Sequence, residues 1–251
     1  MSEPDALLPE IERICRAAGD LAIAEREQLR TELKPDGSIV TNADRVVEDY
    51  VRSQLSKLCP NDAVWGEESE FEPAKDGRLW VLDPVDGTSN FTFGQPLWGV
   101  SLALIVDNKL SLGCIHLPDF DKCYLGAAGQ GATVNGTPME PIPPGDILRH
   151  ELVGYGDCSL PFRHKLPGKV RHIGSFVVEA AQFVDRELRA VITNGVRLYD
   201  AAAGVLLARE LGAEIKELDG KDWDESEWMK PERCRSFGFF PPNSNFPFGP
   251  F

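Results

Sequence analysis

Two aspartates separated by two residues follow a run of apolar residues and form the most informative segment of the sequence. The segment reads Trp80-Val-Leu-Asp-Pro-Val-Asp-Gly-Thr-Ser-Asn-Phe91. Proline forces a turn after Asp83, and the glycine after Asp86 permits an unusual backbone angle and close approach of a ligand. Two carboxylates on one turn repel each other unless a cation lies between them. Because Mg²⁺ prefers hard oxygen ligands, the segment predicts a magnesium site; the alternative is a polar turn whose acids only cap the next helix.

Two further segments also place acidic residues next to a predicted strand or helix, as the first segment does. Gly66-Glu67-Glu68 follows a short apolar run, and Asp200 opens an alanine-rich stretch. Each has a simpler explanation, a solvated turn for the glutamates and an ordinary helix cap for Asp200. The spacing of Asp83, Asp86 and Thr88 is one residue too long for the Asp-x-Asp-x-Thr of phosphatases that work through a phospho-aspartate, so a covalent aspartate is excluded.

Helices and short strands must position these acids. Apolar residues at helical spacing predict an amphipathic helix from Ser2 to about Arg30 and a second one from Thr41 or Asn42. We expect later helices at Phe176–Arg186 and Asp200–Leu211, and an irregular segment from Phe237 to Phe251. Strands are expected at Ala63–Trp65, Leu79–Leu82, Trp98–Val106, Leu110–Leu117, Lys122–Ala127, Leu152–Tyr155, Leu188–Thr193 and Glu214–Leu218, with Asp107-Asn108-Lys109 as a hairpin turn.

Charge and composition narrow the class of protein. The 251 residues carry 26 Lys and Arg against 40 Asp and Glu, a formal net charge of −14. Such an acidic surface disfavours nucleic-acid and membrane partners, but it accepts a small phosphorylated substrate where metal ions supply positive charge. No apolar run approaches the length of a membrane span, and six scattered cysteines without a CxxC pair indicate reduced thiols. We therefore expect a cytoplasmic protein.

Five segments of the chain, in order, resemble the inositol monophosphatase family of Mg²⁺-dependent, Li⁺-sensitive sugar-phosphate phosphatases. Its two signatures are matched by Asp83-Pro-Val-Asp-Gly-Thr-Ser-Asn-Phe91 and Tyr199-Asp-Ala-Ala-Ala-Gly204, with Tyr in place of the usual Trp. Val40-Thr-x-Ala-Asp44, Gly66-Glu-Glu-Ser69 and Gly174-Ser175 are also similar to family motifs. The resemblance extends from residue 34 to about residue 215.

The resemblance implies an α/β (α+β) protein with the five-layer αβαβα sugar-phosphatase fold, usually a homodimer. It implies one domain over residues 1–251, with an N-terminal α+β half (about 1–140) carrying most metal ligands and a C-terminal α/β half (about 141–251). Two to three Mg²⁺ ions would be bound: the first by Glu67, Asp83 and the Val85 carbonyl, the second by Asp83, Asp86 and Asp200, and a weak third with help from Glu67.

The resemblance also implies catalytic and substrate-binding residues. Asp44, Glu67 and Thr88 would be catalytic, with Asp44 and Thr88 orienting and deprotonating the attacking water. Substrate contacts would come from Asp86, Gly87, Thr88, Ser89, Gly174, Ser175, Thr193 and Asp200. In-line attack of water on a phosphate ester needs positive charge beside the phosphate oxygens and the leaving group. Metal ions bound by these acids would provide that charge.

The substrate remains open at the level of sequence. Asn90-Phe91 resembles the inositol-phosphate branch, whereas Lys34-x-Asp-x-Ser-x-Val-Thr-x-Ala-Asp44 looks more like the nucleotidase and histidinol-phosphatase branches. Thr193 stands where inositol phosphatases tend to have a ring-binding glutamate, so one charge-assisted hydrogen bond of about 1.5–3 kcal/mol is missing.

We expect a Mg²⁺-dependent phosphomonoesterase acting on a small polyol or sugar phosphate such as inositol monophosphate. Alternatives are histidinol phosphate, fructose 1,6-bisphosphate or a 3′(2′),5′-bisphosphate nucleotide, and a non-catalytic phosphatase-like scaffold. The basic cluster is either a contact for a second phosphate or at a dimer edge, or, as we favour, a solvated loop; it comprises Arg163, His164, Lys165, Lys169, Arg171 and His172.

Overall fold

The structure, a computed structural model, describes residues 3–35, 37–71, 77–156 and 167–248. The first helix, α1 (Glu3–Glu25), ends five residues before the predicted limit and continues as a 3₁₀ turn at Arg26–Gln28. A small antiparallel hairpin of β1 (Thr31–Leu33) and β2 (Ile39–Thr41), which the sequence did not predict, leads directly into α2 (Asn42–Leu58). The start of α2 is as predicted.

A seven-stranded sheet carries the first half of the site. Its strands lie in sequence order, and among them only β3 and β4 run parallel. The ranges are β3 (Ala63–Gly66), β4 (Arg78–Asp86), β5 (Gly99–Val106), β6 (Lys109–Leu117), β7 (Lys122–Ala127), β8 (Ala132–Val134) and β9 (Thr137–Pro138), with the short helix α3 (Thr88–Thr92) after β4. The predicted hairpin of β5 and β6 is confirmed, and its turn residues Asp107 and Asn108 both have positive φ.

A five-stranded sheet forms the rest of the framework, with the order β11-β10-β12-β14-β13. The elements are β10 (Leu152–Tyr155), β11 (Lys169–Arg171), α4 (Phe176–Val184), β12 (Ala190–Thr193), α5 (Leu198–Glu210), β13 (Glu214–Glu217) and β14 (Phe237–Phe240). Strand β10 is parallel to both β11 and β12, whereas β14 is antiparallel to β12 and β13.

Layers of helix and sheet alternate through the molecule, which confirms the predicted α/β class. Helices α1 and α2 pack on one face of the seven-stranded sheet, and α5 packs on its other face. Helices α4 and α5 contact each other, and they also contact strands of the five-stranded sheet. In the described part of the chain, the outer face of that sheet is covered by Ile147, Phe246 and Phe248 instead of a helix.

The expectation of an irregular segment after Phe237 is wrong for its first four residues. Strand β14 inserts between β12 and β13, with Phe237 and Phe239 fully buried in the core shared with α4 and α5. A Cβ at Gly238 would lie 2.5 Å from the Val191 carbonyl oxygen, so glycine is what allows the strand to approach β12. The high content of Phe, Pro and Gly obscured a strand that is buried on both faces.

No helix in the described ranges is long and apolar enough to cross a membrane. The division into an N-terminal and a C-terminal half of one domain stays a prediction. Residues Arg163, His164 and Lys165 of the basic cluster lie outside the described residues, as does Cys158.

Candidate metal-binding active site

A pocket of about 160 Å³ opens where β4, α5 and the turn between β1 and β2 meet. Carboxylates, hydroxyls and three basic side chains dominate its wall. The lining residues are Lys34, Ser38, Glu67, Asp83, Val85, Asp86, Gly87, Thr88, Arg197, Tyr199, Asp200 and Arg233. The four acids from three separate segments, which the sequence predicted as metal ligands, therefore come together in one place.

The end of β4 presents the two aspartates of the first signature. The sequence placed Asp83 at the exit of a strand, but β4 continues to Asp86, with a register shift against β5 between the two aspartates. Proline at position 84 cannot donate to the neighbouring strand, which explains why the pairing slips there. Asp83 is 2% exposed, and its Oδ1 accepts a hydrogen bond of 3.0 Å from the Val85 amide.

Asp86 is held by the start of α4, an element almost ninety residues away. Its Oδ2 accepts hydrogen bonds from Ser175 Oγ at 2.5 Å and from the Val177 amide at 2.6 Å. Ser175 also caps α4, because its Oγ accepts from the Val178 amide at 3.2 Å. Burial raises the pKa of Asp86 to about 6, although these hydrogen bonds stabilise the charged form.

Asp200 lies in the first turn of α5, where its Oδ2 accepts from the Arg197 amide at 2.7 Å. Its side chain also forms a hydrogen bond with Asp83. Burial, followed by the charges of Asp86 and Glu67, raises the pKa of Asp200 to about 8. Burial and the same crowding of negative charge raise the pKa of Asp83 well above its ordinary value.

Glu67 reaches the pocket from the turn after β3, and this turn is fixed to α2. The Glu68 amide donates to Glu48 Oε2 at 2.9 Å, and a Cβ at Gly66 would clash with the Glu48 carboxylate. Lys34 Nζ lies 2.9 Å from Glu67 Oε1 and 2.6 Å from Glu68 Oε1. The wall of the pocket thus carries one lysine ammonium directly on a predicted metal ligand.

Asp44 lies behind the pocket wall, joined to it through Thr88. Thr41 caps α2, and its amide and hydroxyl both donate to Asp44 Oδ2, at 2.9 and 2.5 Å. Oδ1 remains for Thr88, whose Oγ1 lies 3.4 Å from it and 3.0 Å from the Val85 carbonyl oxygen. Burial raises the pKa of Asp44 to about 6. The single Thr88 proton can serve either acceptor, which suits a proton relay.

The chemistry of these donors fits a hard divalent cation. Asp83, Asp86 and Asp200 are buried acids whose raised pKa values show that their joint ionisation is opposed until positive charge arrives. The candidate ligand atoms of these acids and of the Val85 carbonyl are all oxygens, which Mg²⁺ prefers. In the described ranges no group of three acids is arranged as a metal cluster, and Glu67, Asp86 and Asp200 each direct an oxygen towards a protein donor.

Several predicted substrate contacts lie outside the pocket wall. Ser89 is exposed on α3 and Gly174 is exposed just before α4, while Ser175 holds Asp86 from behind the wall. Thr193 is 1% exposed at the end of β12 and does not line the pocket. Its hydroxyl has no hydrogen-bond partner within the described residues.

The structure adds five pocket residues that were not predicted as site residues: Lys34, Ser38, Arg197, Tyr199 and Arg233. Lys34 and Tyr199 belong to segments that resemble family motifs, so their sequence positions could have indicated them. Arg197 could have been found from its place three residues before Asp200, at the N-cap of α5. Nothing in the sequence around Arg233 points to the pocket.

Comparison with known proteins finds a matching family and relatives that are named as phosphatases. The family model described as the inositol monophosphatase family matches residues 5–233. A histidinol-phosphatase of Chlorobaculum parvum is 40% identical over 115 residues, which is 46% of this chain and 44% of that protein's own length. A fructose-1,6-bisphosphatase/inositol-1-monophosphatase of Thermotoga maritima is 30% identical over 191 residues, covering 73% of each chain.

A solved structure of an IMPase from Thermotoga maritima superposes with a TM-score of 0.84 at 25% identity, covering 94% of this chain and 92% of that one. The family match over residues 5–233 contains all four acidic pocket residues and every strand of the two large sheets except β14. The chain belongs to the inositol monophosphatase family and is a phosphatase, that is, a phosphoric monoester hydrolase.

Proposed function

We propose that the chain hydrolyses the phosphate monoester of a small polyol or sugar, such as inositol monophosphate, with two to three Mg²⁺ ions bound. The observation that carries this proposal is the meeting of Glu67, Asp83, Asp86 and Asp200 in one pocket, with Thr88 and Asp44 at its wall. The names of the relatives, which include inositol-1-monophosphatase, support the same class of substrate.

Four side chains and one carbonyl would hold the metal ions: Glu67, Asp83, Asp86, Asp200 and the Val85 oxygen. Bound Mg²⁺ would neutralise phosphate oxygens and lower the pKa of water. The Val85 carbonyl is already placed at the pocket wall, where it accepts from Thr88. With that carbonyl as a metal ligand, the Thr88 hydroxyl would have Asp44 as its remaining acceptor.

Asp44 and Thr88 would then handle the proton of the attacking water. Asp44 Oδ2 is occupied by Thr41, so only Oδ1 can receive a proton through Thr88. The pKa of Asp44, about 6, lies close to neutral pH. A general base is most effective when its pKa is near the pH at which the enzyme works. The amides of Gly87 and Thr88 at the start of α3 would face the phosphate, with Ser89 nearby.

The test is phosphate release with and without Mg²⁺ from inositol 1-phosphate, fructose 1,6-bisphosphate, adenosine 3′,5′-bisphosphate and histidinol phosphate. Asp83→Asn should abolish Mg²⁺-dependent turnover because it removes a carboxylate shared by two ions, whereas Asp20→Asn on the exposed face of α1 should not. Near-normal turnover by Asp83→Asn would overturn the metal assignment. No release from any compound would favour an untested substrate or the scaffold.

A second candidate, a bisphosphate substrate, is favoured by one observation. Arg197 lines the pocket, its Nη1 donates only to the neutral Tyr199 hydroxyl at 2.8 Å, and its Nε is buried without a partner within the described residues. A guanidinium without a carboxylate partner is suited to binding a second anionic group. If this candidate is right, Arg197→Met raises the KM for fructose 1,6-bisphosphate more than the KM for inositol 1-phosphate.

Lithium sensitivity, a homodimer and a cytoplasmic location are proposed on the family resemblance alone. Inhibition by millimolar Li⁺ in the same phosphate-release assay and the mass of the protein in solution test the first two. A Li⁺-insensitive enzyme or a monomer would contradict them without affecting the assignment of the pocket acids.

A further inference from the structure

A buried carboxylate outside the pocket contacts the turn that carries Glu67. Glu48 on α2 is 4% exposed and does not line the pocket. Its Oε2 accepts a hydrogen bond of 2.9 Å from the amide of Glu68. The peptide bond that follows Glu67 is therefore held by an acid that is not one of the predicted metal ligands.

Glycine at position 66 allows the Glu48 carboxylate to come this close to the turn. A Cβ added to Gly66 would lie 2.2 Å from Glu48 Cδ, 2.3 Å from Oε2 and 2.4 Å from Oε1. Any larger residue at position 66 would therefore have to displace the carboxylate. The contact is packed on the backbone of the turn, and it does not depend on the flexible end of a second side chain.

Arg52, one helical turn after Glu48, joins the other end of the same turn to α2. Its Nε donates to Glu48 Oε1 at 3.1 Å, and its Nη2 donates to Ser69 Oγ. Ser69 Oγ also accepts a hydrogen bond of 3.1 Å from the Gly66 amide. The guanidinium offsets the buried charge of Glu48, and the turn at residues 66–69 is tied to α2 at both ends.

Two other contacts hold this turn and would remain without Glu48. The Glu67 amide donates to the Leu82 carbonyl at 3.1 Å, next to the pairing of β3 with β4. The Lys34 ammonium contacts the ends of the Glu67 and Glu68 side chains. The first contact fixes the backbone before the Glu67 side chain, and the second acts on side-chain ends. Glu48 acts between them, on the peptide bond directly after Glu67.

We propose that Glu48 is a positioning residue for the predicted metal ligand Glu67, because its hydrogen bond sets the direction in which the Glu67 side chain leaves the turn. This inference rests on the proposed metal site. Asp44, the proposed base, lies four residues before Glu48 and therefore on the same face of α2, and both acids are buried. One helix would thus fix the base and a metal ligand relative to each other.

Calorimetric titration of Mg²⁺ into the metal-free full chain tests this role. Glu48→Ala should weaken the ions that Glu67 would bind by about 10–100-fold, as loss of a group that orients a metal ligand usually does. Glu67→Ala should weaken the same ions. Because Glu48 acts through Glu67, adding Glu48→Ala to Glu67→Ala should not change the remaining Mg²⁺ binding, which Asp83, Asp86 and Asp200 would supply. A further loss in the double variant, or no loss in Glu48→Ala alone, would overturn the proposal.

Asp49→Ala is the matched control, because Asp49 is the exposed carboxylate next to Glu48 on the same helix. It removes the same charge from α2 and should leave the affinity for Mg²⁺ nearly unchanged. Equal losses in the two variants would mean that net charge, and not the contact with the turn, sets the affinity. If Glu48→Ala does not fold, Glu48→Gln enters the same comparison with a smaller expected loss, because it keeps one acceptor oxygen for the Glu68 amide.

Phosphate release and hydrogen exchange distinguish positioning from general damage to the fold. In Glu48→Ala the Mg²⁺ concentration for half-maximal turnover should rise by the same factor as the loss of affinity, while kcat at saturating Mg²⁺ should return close to that of the wild type. The Glu68 amide of the metal-free variant should exchange faster, since its acceptor is gone. A kcat that stays low at saturating Mg²⁺, or a Glu68 amide that exchanges as in the wild type, would contradict the role of Glu48.

Failure of this inference and failure of the proposed function look different. A wild-type chain that binds no Mg²⁺ and releases no phosphate contradicts the proposed function. A chain that binds Mg²⁺, turns over substrate and loses affinity in Glu67→Ala but not in Glu48→Ala contradicts only the role of Glu48.

Discussion

Glu179 is a buried acid that the proposed chemistry does not use. It is fully buried in the first turn of α4, its Oε1 lies 3.4 Å from the Ile173 amide, and its Oε2 has no partner within the described residues. Burial raises its pKa to about 8, from an ordinary value of 4.5. The folded chain therefore holds a proton on Glu179 that the unfolded chain releases well below neutral pH.

This difference predicts a dependence of stability on pH. Between pH 4.5 and 8 the unfolded state binds fewer protons at this residue, so Glu179 makes the free energy of unfolding fall as pH rises, by at most about 1.4 kcal/mol per pH unit. Glu179→Gln, which stays neutral, should lose this contribution. Between pH 5 and pH 8 we expect the free energy of unfolding of the variant to rise by roughly 2–4 kcal/mol relative to that of the wild type.

Denaturant unfolding at fixed Mg²⁺ measures both proteins at each pH. Glu140→Gln at an exposed position is the control, and its difference from the wild type should not change with pH. Parallel pH profiles for wild type and Glu179→Gln would show that Glu179 is ionised in the folded protein.

At the scale of residues, the sequence predicted the acidic residues of the pocket better than its basic residues. Spacing alone indicated Asp83 and Asp86. Glu67 and Asp200 were recognised as acids beside regular elements, and only the resemblance joined them to the same site. Lys34 and Arg197 were not predicted as site residues, because a basic residue on a turn or helix cap is usually solvated. Only tertiary structure shows that both face the same carboxylates.

Among the elements, the turn between β4 and α3 has the tightest geometry. Gly87 has φ of +87°, and a Cβ there would lie 2.8 Å from the Leu97 carbonyl oxygen and 2.9 Å from Ser175 Cβ. Ser175 is the residue that holds Asp86. A side chain at Gly87 would therefore displace both the amides facing the pocket and the hydrogen bond that positions a predicted metal ligand.

Gly87→Ala should lose most Mg²⁺-dependent turnover and destabilise the fold. The positive φ alone costs about 1–2 kcal/mol for a residue with a side chain, and the clash adds to it. Gly94→Ala is the matched control, because Gly94 has φ of +72° but a Cβ added there would meet nothing within 4 Å. Thermal unfolding and phosphate release should separate the two variants, and equal losses would mean that the contacts with Leu97 and Ser175 do not matter.

Helices and strands whose apolar residues recur at regular spacing were predicted well, and those without such a repeat were not. The long helix α2 and the hairpin of β5 and β6 each present a regular apolar pattern and a turn or cap, and both are confirmed. Strand β14 was missed because it is buried on both faces, so its side chains do not alternate between apolar and polar. The short β1 and β2 are mostly exposed and have too few residues to show any pattern.

For the whole molecule, the pocket draws its residues from the end of β4, from the start of α5 and from turns that lie far apart in the sequence. Asn90 Nδ2 donates to the Leu97 carbonyl at 2.8 Å and to the Ile173 carbonyl at 2.9 Å, which ties the turn after β4 to the segment before α4. Asp86 is tied to Ser175 in the same region. The geometry of the site therefore depends on how the five-stranded sheet holds α4 in place.

Phe239 on β14 is the residue through which the end of the chain supports that arrangement. It is fully buried, and its ring centroid lies 5.5 Å from the rings of both Phe176 and Phe183 on α4. Phe239→Ala should lower the free energy of unfolding by about 3–5 kcal/mol, as other large-to-small core changes do. In the folded fraction we expect weaker Mg²⁺ binding, because α4 loses the packing that fixes Ser175 against Asp86.

Phe248→Ala is the control for the loss of an aromatic ring near the same end of the chain. Phe248 is only partly buried, and it packs on Phe240 and Phe246 at the outer face of the sheet, away from α4. It should destabilise the protein less and leave the apparent affinity for Mg²⁺ unchanged. Denaturant unfolding and Mg²⁺ titration of the two variants test this, and an unchanged Mg²⁺ affinity in Phe239→Ala would mean that Ser175 holds Asp86 without support from β14.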